Sequence, residues 1–150
     1  MKYIKSKPYI LFLAVIIIVL SFGFYKGRED VVINIYDTYF IISYKHLAIL
    51  LSVVYGFLAL LYFGLSKLNF KLFNWITIFH ISVSIIGLFA IFILSKLVRE
   101  NVPGDMTTFW NNINFNEKIE YGIGLSIILI IGAQILFLIN VTYALVKKII

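Results

Sequence analysis

The chain has 150 residues, of which 62% are hydrophobic and 13% are charged, whereas soluble domains average about 45–50% and about 25%. A water-soluble domain of this size cannot bury so much apolar surface, so the composition excludes one and favours an all-α membrane protein. The chain contains no cysteine, which excludes disulfides, thiolate metal sites and cysteine nucleophiles.

Four apolar runs without charged residues follow one another along the chain, and each is close to the roughly 20 residues that cross a bilayer. They predict transmembrane helices over residues 9–25, 46–66, 72–95 and 121–146. The first run also has features of a cleavable signal peptide, namely a basic start and the small residues Ser21 and Gly23. Because Phe22 and Phe24 make a poor cleavage context, we expect an uncleaved first span.

The charged residues between the runs predict the side on which each loop lies. Seven lysines stand at the two chain ends and between the second and third runs, in short segments without an acid, and all seven acids lie in the two longer loops. Basic, acid-free segments stay in the cytoplasm, so we expect both termini on the cytoplasmic side of a bacterial inner membrane. This placement of the lysines suits anionic headgroups and excludes nucleic acid as a partner, despite a net charge of +6.

Two segments of the outer loops have the residue pattern of strands. Residues 31–36 are rich in strand formers, and residues 112–116 alternate polar and apolar side chains. They predict a small β-pair outside the membrane. The alternative is irregular chain lying on the interface, where aromatic residues such as Tyr36, Tyr39 and Trp110 prefer to sit.

The segment 37–46, Asp-Thr-Tyr-Phe-Ile-Ile-Ser-Tyr-Lys-His, resembles the outer start of the tenth helix of cytochrome c oxidase subunit I, the catalytic subunit of the haem-copper oxidases. Residues 75–80, Trp-Ile-Thr-Ile-Phe-His, and residues 107–111, Thr-Thr-Phe-Trp-Asn, resemble the segments that open its eleventh helix and precede its twelfth. Their order and membrane direction agree with that family. The resemblance covers roughly residues 35–146 and implies the packing of the family's last three helices.

The same resemblance implies that most cofactor ligands of the family are missing. Tyr44 stands where the family has the ligand of its oxygen-reducing haem, and His46 stands where it has a ligand of its low-spin haem. Tyr36 replaces the histidine that precedes the family's aspartate, which weakens a metal site at Asp37. Copper needs further histidines, whereas this chain has only His46 and His80. We therefore expect no oxygen reduction, no enzyme activity and no resident metal or other cofactor.

His46 is the candidate axial ligand of a haem b near the outer edge of the membrane. The second ligand cannot be His80, which would lie about 15 Å deeper at about 1.5 Å per residue. Met106, a second copy of the chain or another subunit would have to supply it. The alternative is an interfacial histidine that is hydrogen-bonded to headgroups or to Asp37.

Asp37, Thr38 and Tyr39 form an outer motif that comes directly before the second predicted helix. A carboxylate or hydroxyl at this place can cap free backbone N–H groups, so Asp37 or Thr38 is a candidate cap of that helix. The motif also suits an interaction surface, since its metal chemistry is lost.

The third predicted helix has polar and small residues spaced three and four apart, which places them on one face. This stripe consists of Asn74, Thr77, His80, Ser84 and Gly87; the fourth helix contributes Gln134 and Asn140, and the second contributes Ser52 and Gly56. In lipid such faces pack helices through close approach and hydrogen bonds. The alternative is a proton or water path along the stripe. The spans contain no Asp, Glu, Lys or Arg, which transport sites usually have, so we expect helix packing.

The sequence therefore predicts one domain over residues 1–150, a four-helix transmembrane bundle with two longer outer loops. Its expected partners are the lipid bilayer and either other membrane subunits or a second copy of the chain. The predicted function is that of a non-catalytic accessory or scaffold subunit of a membrane complex. Two alternatives stay open, a haem b electron carrier that uses His46 and a small transporter or channel.

Overall fold

The computed structural model of the chain describes residues 7–35, 38–99 and 106–149. In chain order these residues form α1 (Tyr9–Tyr25), β1 (Asp30–Ile35), β2 (Thr38–Ser43), α2 (Tyr44–Lys67), α3 (Asn74–Leu97) and α4 (Met106–Ile149). The chain divides into two compact units, Met1–Phe70 and Lys71–Ile150. The first unit contains α1, the two strands and α2, and the second contains α3 and α4.

Three of the described helices, α2, α3 and α4, are long and apolar enough to cross a membrane. α1 is also apolar, but its 17 residues measure about 26 Å, a little less than a hydrocarbon core of about 30 Å. These helices confirm the prediction of a helical fold with membrane-spanning segments. The packing of all four helices into one bundle stays a prediction, as does the side of the membrane on which the termini lie.

The start of α4 differs most from the sequence-based expectation. The first three helices have bounds within two residues of those predicted, whereas α4 begins at Met106 rather than near residue 121. It continues for 44 residues, or about 66 Å, which is roughly twice the thickness of a hydrocarbon core. Asparagine has a low helix propensity, and the asparagines at 111, 112, 114 and 116 therefore favour a loop when only local preference is considered.

β1 and β2 form an antiparallel pair in which Asp30 lies opposite Ser43 and Ile35 lies opposite Thr38. The prediction of a small β-pair is thus confirmed, but its second strand is wrong, because residues 112–116 belong to α4. Valine, isoleucine and aromatic residues favour strands on both sides of the connection. A short connection between neighbouring strands makes a local hairpin the easier pairing. Residues 36 and 37, at that connection, lie outside the described residues.

α2 begins directly after β2, and Ser43 is its N-cap. The Ser43 Oγ accepts a hydrogen bond from the His46 N–H at 3.3 Å, which is the usual cap arrangement for serine. The prediction that Thr38 caps this helix is wrong, because Thr38 is the first of the six residues of β2 that precede the cap; Asp37, the other predicted cap, lies outside the described residues.

A tight turn joins α1 to β1, and an ion pair within it stabilises the turn. The Lys26 Nζ bonds both carboxylate oxygens of Glu29, at 2.5 and 2.7 Å, and the Glu29 N–H donates to the Lys26 C=O at 2.9 Å. The hydrogen bond to Glu29 raises the pKa of the Lys26 ammonium above its ordinary value. The Tyr44 N–H donates to the Glu29 C=O at 3.1 Å, so the same turn also receives the end of the hairpin.

α1 and α2 pack antiparallel along a seam of small residues. Near the hairpin, a Cβ on Gly23 would lie 2.1 Å from the Ala48 Cβ and 3.0 Å from the Tyr44 C=O oxygen. Glycine is therefore required at this approach. Further along the seam, a Cβ on Gly56 would lie 3.9 Å from the Ile16 Cδ1, which is an ordinary contact distance and leaves room for a methyl group.

Aromatic rings fill the seam at its other end. The buried ring of Phe12 stacks on Tyr62 with centroids 5.7 Å apart and lies 5.8 Å from the ring of Tyr55. Ser52 lies four residues from both Ala48 and Gly56, on the same face of α2, and its buried Oγ has no hydrogen-bond partner among the described residues. In the predicted packing role, Ser52 therefore acts through its small size.

Candidate functional site

Asn140 on α4 holds the start of α3. Its Oδ1 accepts a hydrogen bond from the Phe73 N–H at 2.9 Å, and its Nδ2 donates to the Phe73 C=O at 3.3 Å and to the Thr77 Oγ1 at 3.4 Å. Asn140 is only 1% exposed. Phe73 is the N-cap residue of α3, and its side chain makes no capping hydrogen bond. The Asn140 Oδ1 therefore provides an acceptor for the Phe73 N–H, which has none within its own helix, while the Phe73 C=O also accepts from the Thr77 N–H at 3.1 Å.

Asn116 makes the corresponding pair just beyond the other end of α3. Its Oδ1 accepts from the Arg99 N–H at 2.9 Å, and its Nδ2 donates to the Arg99 C=O at 2.8 Å. The Arg99 guanidinium carbon lies 3.8 Å from the centroid of the Phe115 ring, a cation–π distance. Backbone and side chain of Arg99 are thus both held by neighbouring residues of α4.

The two asparagine pairs have a spacing that matches a membrane span. Asn116 and Asn140 are 24 residues apart, about 36 Å along the helix, and α3 has 24 residues. This is slightly more than a hydrocarbon core of about 30 Å. When α3 crosses a bilayer, both pairs consequently fall near its two interfaces, and α4 extends past the Arg99 pair by the residues from Met106 to Phe115.

Between these pairs, His80 forms a chain of polar contacts. It is fully buried, and its Nε2 lies 2.9 Å from the Gln134 Oε1. The Gln134 Nε2 in turn donates to the Ser84 Oγ at 3.2 Å. The His80 ring stacks on Phe137 with centroids 4.7 Å apart. Because a carboxamide oxygen only accepts, His80 donates from Nε2 in this arrangement.

Gly87 allows the closest approach of α3 to the middle of α4. A Cβ at this position would lie 2.8 and 2.9 Å from two side-chain carbons of Ile130. Thr77, His80, Ser84 and Gly87 lie on the face of α3 toward α4, where Gln134 and Asn140 contact the three polar ones. Asn74 differs, since it is exposed. The contact to Asn140 at this end is made by the backbone of Phe73, one residue earlier.

His46 lies apart from these contacts, in the first unit. It is exposed on the first turn of α2, and its Nδ1 lies 2.7 Å from the Ser43 Oγ. The role of haem ligand stays a prediction. Of the outer motif, Asp37 lies outside the described residues, whereas Thr38 and Tyr39 belong to β2. Within the described ranges, no group of three or more histidines, cysteines and acids is placed to hold a metal ion.

The sequence analysis did not predict the contact between Asn116 and Arg99, although the spacing of residues along α4 offers a signal for it. Positions spaced by seven residues run from Asn112 through 119, 126 and 133 to Asn140, and a second series runs from Asn116 through 123 and 130 to Phe137 and 144. Six of these ten residues are buried. An apolar heptad series predicts a continuous helix packed on a partner; here four of the ten positions are polar, including Asn112 and Asn116, so the signal is weak upstream of the apolar run.

These helices and contacts define a helical protein with segments able to span a membrane. No family model matches the chain, and neither a curated protein nor a solved structure is significantly similar to it. The resemblance to oxidase subunit I therefore depends on the three sequence segments alone.

Proposed function

We propose that the chain is an integral protein of a bacterial inner membrane, with four spanning helices and both termini in the cytoplasm. Its role is that of a non-catalytic accessory or scaffold subunit of a membrane complex, in keeping with the resemblance of residues 37–46 to oxidase subunit I. The oxidase-like ligand positions that have changed, such as Tyr44, are the reason to propose a supporting role rather than oxygen chemistry.

The observation that carries the proposal is how the polar groups between α3 and α4 are used. His80, Gln134 and Ser84 bond one another, and Asn140 bonds the backbone of Phe73. A water or proton path needs polar groups that exchange partners with the transported species. Here the same groups join the two helices, and in lipid each such bond contributes about 0.6–2 kcal/mol.

The packing of α1 supports a fourth span. α1 lies antiparallel against α2 with the Gly23–Ala48 approach near one end and the Phe12–Tyr62 stack near the other. Because α2 is long enough to cross a membrane, α1 lies at the same depth. A helix about 4 Å shorter than the hydrocarbon core is accommodated by local thinning of the bilayer or by flanking residues that reach the interface.

Purification in mild detergent tests the proposed role. We expect a colourless protein that elutes either with other membrane chains, identified by mass spectrometry, or as an oligomer. A Soret absorbance that disappears in His46→Ala but persists in His80→Ala would instead establish the haem carrier. A colourless monomer without any co-purifying chain, after crosslinking in intact membranes, would contradict an accessory or scaffold role.

A further inference from the structure

One end of the second unit combines lysines with aromatic rings. The rings of Phe73 and Tyr143 have centroids 4.7 Å apart, and the Lys147 Nζ lies 5.8 Å from the centroid of Tyr143. Lys71 comes two residues before Phe73, and all four residues are exposed. We call these residues, Lys71, Phe73, Tyr143 and Lys147, the lysine–aromatic end.

Among the described residues of the second unit, no acid lies near the charges of this end. The described acids of the second unit are Glu117 and Glu120, and Glu120 is 27 residues from Lys147 along α4, about 40 Å away. The first turn of α3 contains no acid. The only salt bridge among the described residues joins Lys26 to Glu29 in the other unit. The lysine–aromatic end is therefore a local excess of positive charge.

The contact between Asn140 and Phe73 fixes the position of the lysine–aromatic end. Asn140 bonds both backbone groups of Phe73, so the start of α3 is held against α4, with Lys147 beside the Tyr143 ring and Lys71 two residues before Phe73 in the chain. Tyrosine rings such as that of Tyr143 are enriched at the headgroup level of a membrane. Lysine ammonium groups then lie where phospholipid phosphates are found.

Charge complementarity selects the kind of headgroup. A zwitterionic choline lipid carries its own cation beside the phosphate, whereas a phosphatidylglycerol headgroup has a net negative charge that the lysines can neutralise. We propose that the lysine–aromatic end is a binding surface for anionic phospholipid headgroups of the phosphatidylglycerol type. The inference depends on the membrane insertion in the proposed function, but not on the accessory or scaffold role.

Native mass spectrometry of the full chain in detergent, titrated with dioleoylphosphatidylglycerol or dioleoylphosphatidylcholine, tests this. We expect tighter binding of phosphatidylglycerol. Lys71→Gln/Lys147→Gln should weaken it by about 25-fold, roughly fivefold for each lysine, and leave phosphatidylcholine binding unchanged. Lys71→Arg/Lys147→Arg should keep the preference, because the charge is retained.

A matched control removes two lysines elsewhere. Lys45 and Lys118 are also exposed, and the Lys45 Nζ lies 5.6 Å from the centroid of the Phe24 ring. Lys45→Gln/Lys118→Gln should bind phosphatidylglycerol nearly as well as the natural chain. Equal losses in both double variants, or equal affinity for the two lipids, would overturn the proposal while membrane insertion stands. Recovery of the chain without detergent would instead contradict the insertion itself.

Discussion

At the scale of single residues, Asn140 illustrates how one carboxamide orders a pair of helices. It offers one acceptor and two donor hydrogens, which the backbone of Phe73 and the hydroxyl of Thr77 use. In hydrocarbon an unpartnered backbone group is costly, and Asn140 gives the Phe73 N–H an acceptor that α3 itself does not supply. The sequence indicates Asn140 as a packing residue by its place on α4. Its partner could not be predicted, because a backbone amide has no sequence signal.

Asn140→Ala should lower the free energy of unfolding by about 1–3 kcal/mol, since interhelical bonds are lost and the Phe73 N–H is left without its partner. Denaturant titration in detergent micelles measures the change. Asn114→Ala is the matched control, because Asn114 is an exposed asparagine of the same helix, and it should cost less than about 0.5 kcal/mol. Similar losses in the two variants would contradict the role assigned to Asn140.

At the scale of helices, α3 contacts α4 through residues that lie one heptad apart on α3. Phe73, His80 and Gly87 of α3 are seven residues apart, and they meet Asn140, Phe137 and Ile130 of α4 respectively. A seven-residue spacing keeps two gently supercoiled helices in register. The same geometry explains why polar and small residues occur together on this face: the small ones allow approach, and the polar ones bond across it.

The bounds of a helix were predictable where an apolar run of membrane-spanning length ends at charged or small residues. α1 has its predicted bounds because an uninterrupted apolar run ends at Lys26 and Gly27. The start of α4 was not predictable from hydropathy, since Asn112 and Asn116 resemble loop residues locally. The side chain of Asn116 instead hydrogen-bonds the backbone of Arg99. This tertiary contact outweighs the low helix propensity of asparagine.

The Gly23–Ala48 approach gives a prediction for the first helix pair. Gly23→Ala should destabilise the chain by about 1–3 kcal/mol, because the new methyl group would overlap the Ala48 Cβ. Adding Ala48→Gly removes that overlap and should restore much of the stability. Gly124→Ala is the control, since a Cβ there has no neighbour within 4 Å, and it should stabilise its helix by about 0.5–1 kcal/mol. Thermal unfolding that failed to separate these variants would contradict the close packing.

At the scale of the whole molecule, the surface is what sets this chain apart from a soluble protein. Large apolar side chains stay exposed along each spanning helix, for example Leu60 on α2, Ile86 on α3 and Ile128 on α4, each 67–69% exposed. Water-facing surfaces rarely carry apolar patches of this extent. The proposed membrane insertion would bring these side chains into contact with lipid.

Thiol labelling tests the membrane arrangement most directly. The chain has no cysteine, so Lys71→Cys and Glu117→Cys, both at exposed positions, each introduce a sole thiol on opposite ends of the second unit. A membrane-impermeant maleimide applied to spheroplasts should modify Glu117→Cys at once and Lys71→Cys only after the membrane is permeabilised. Labelling of Lys71→Cys in intact spheroplasts would contradict the account.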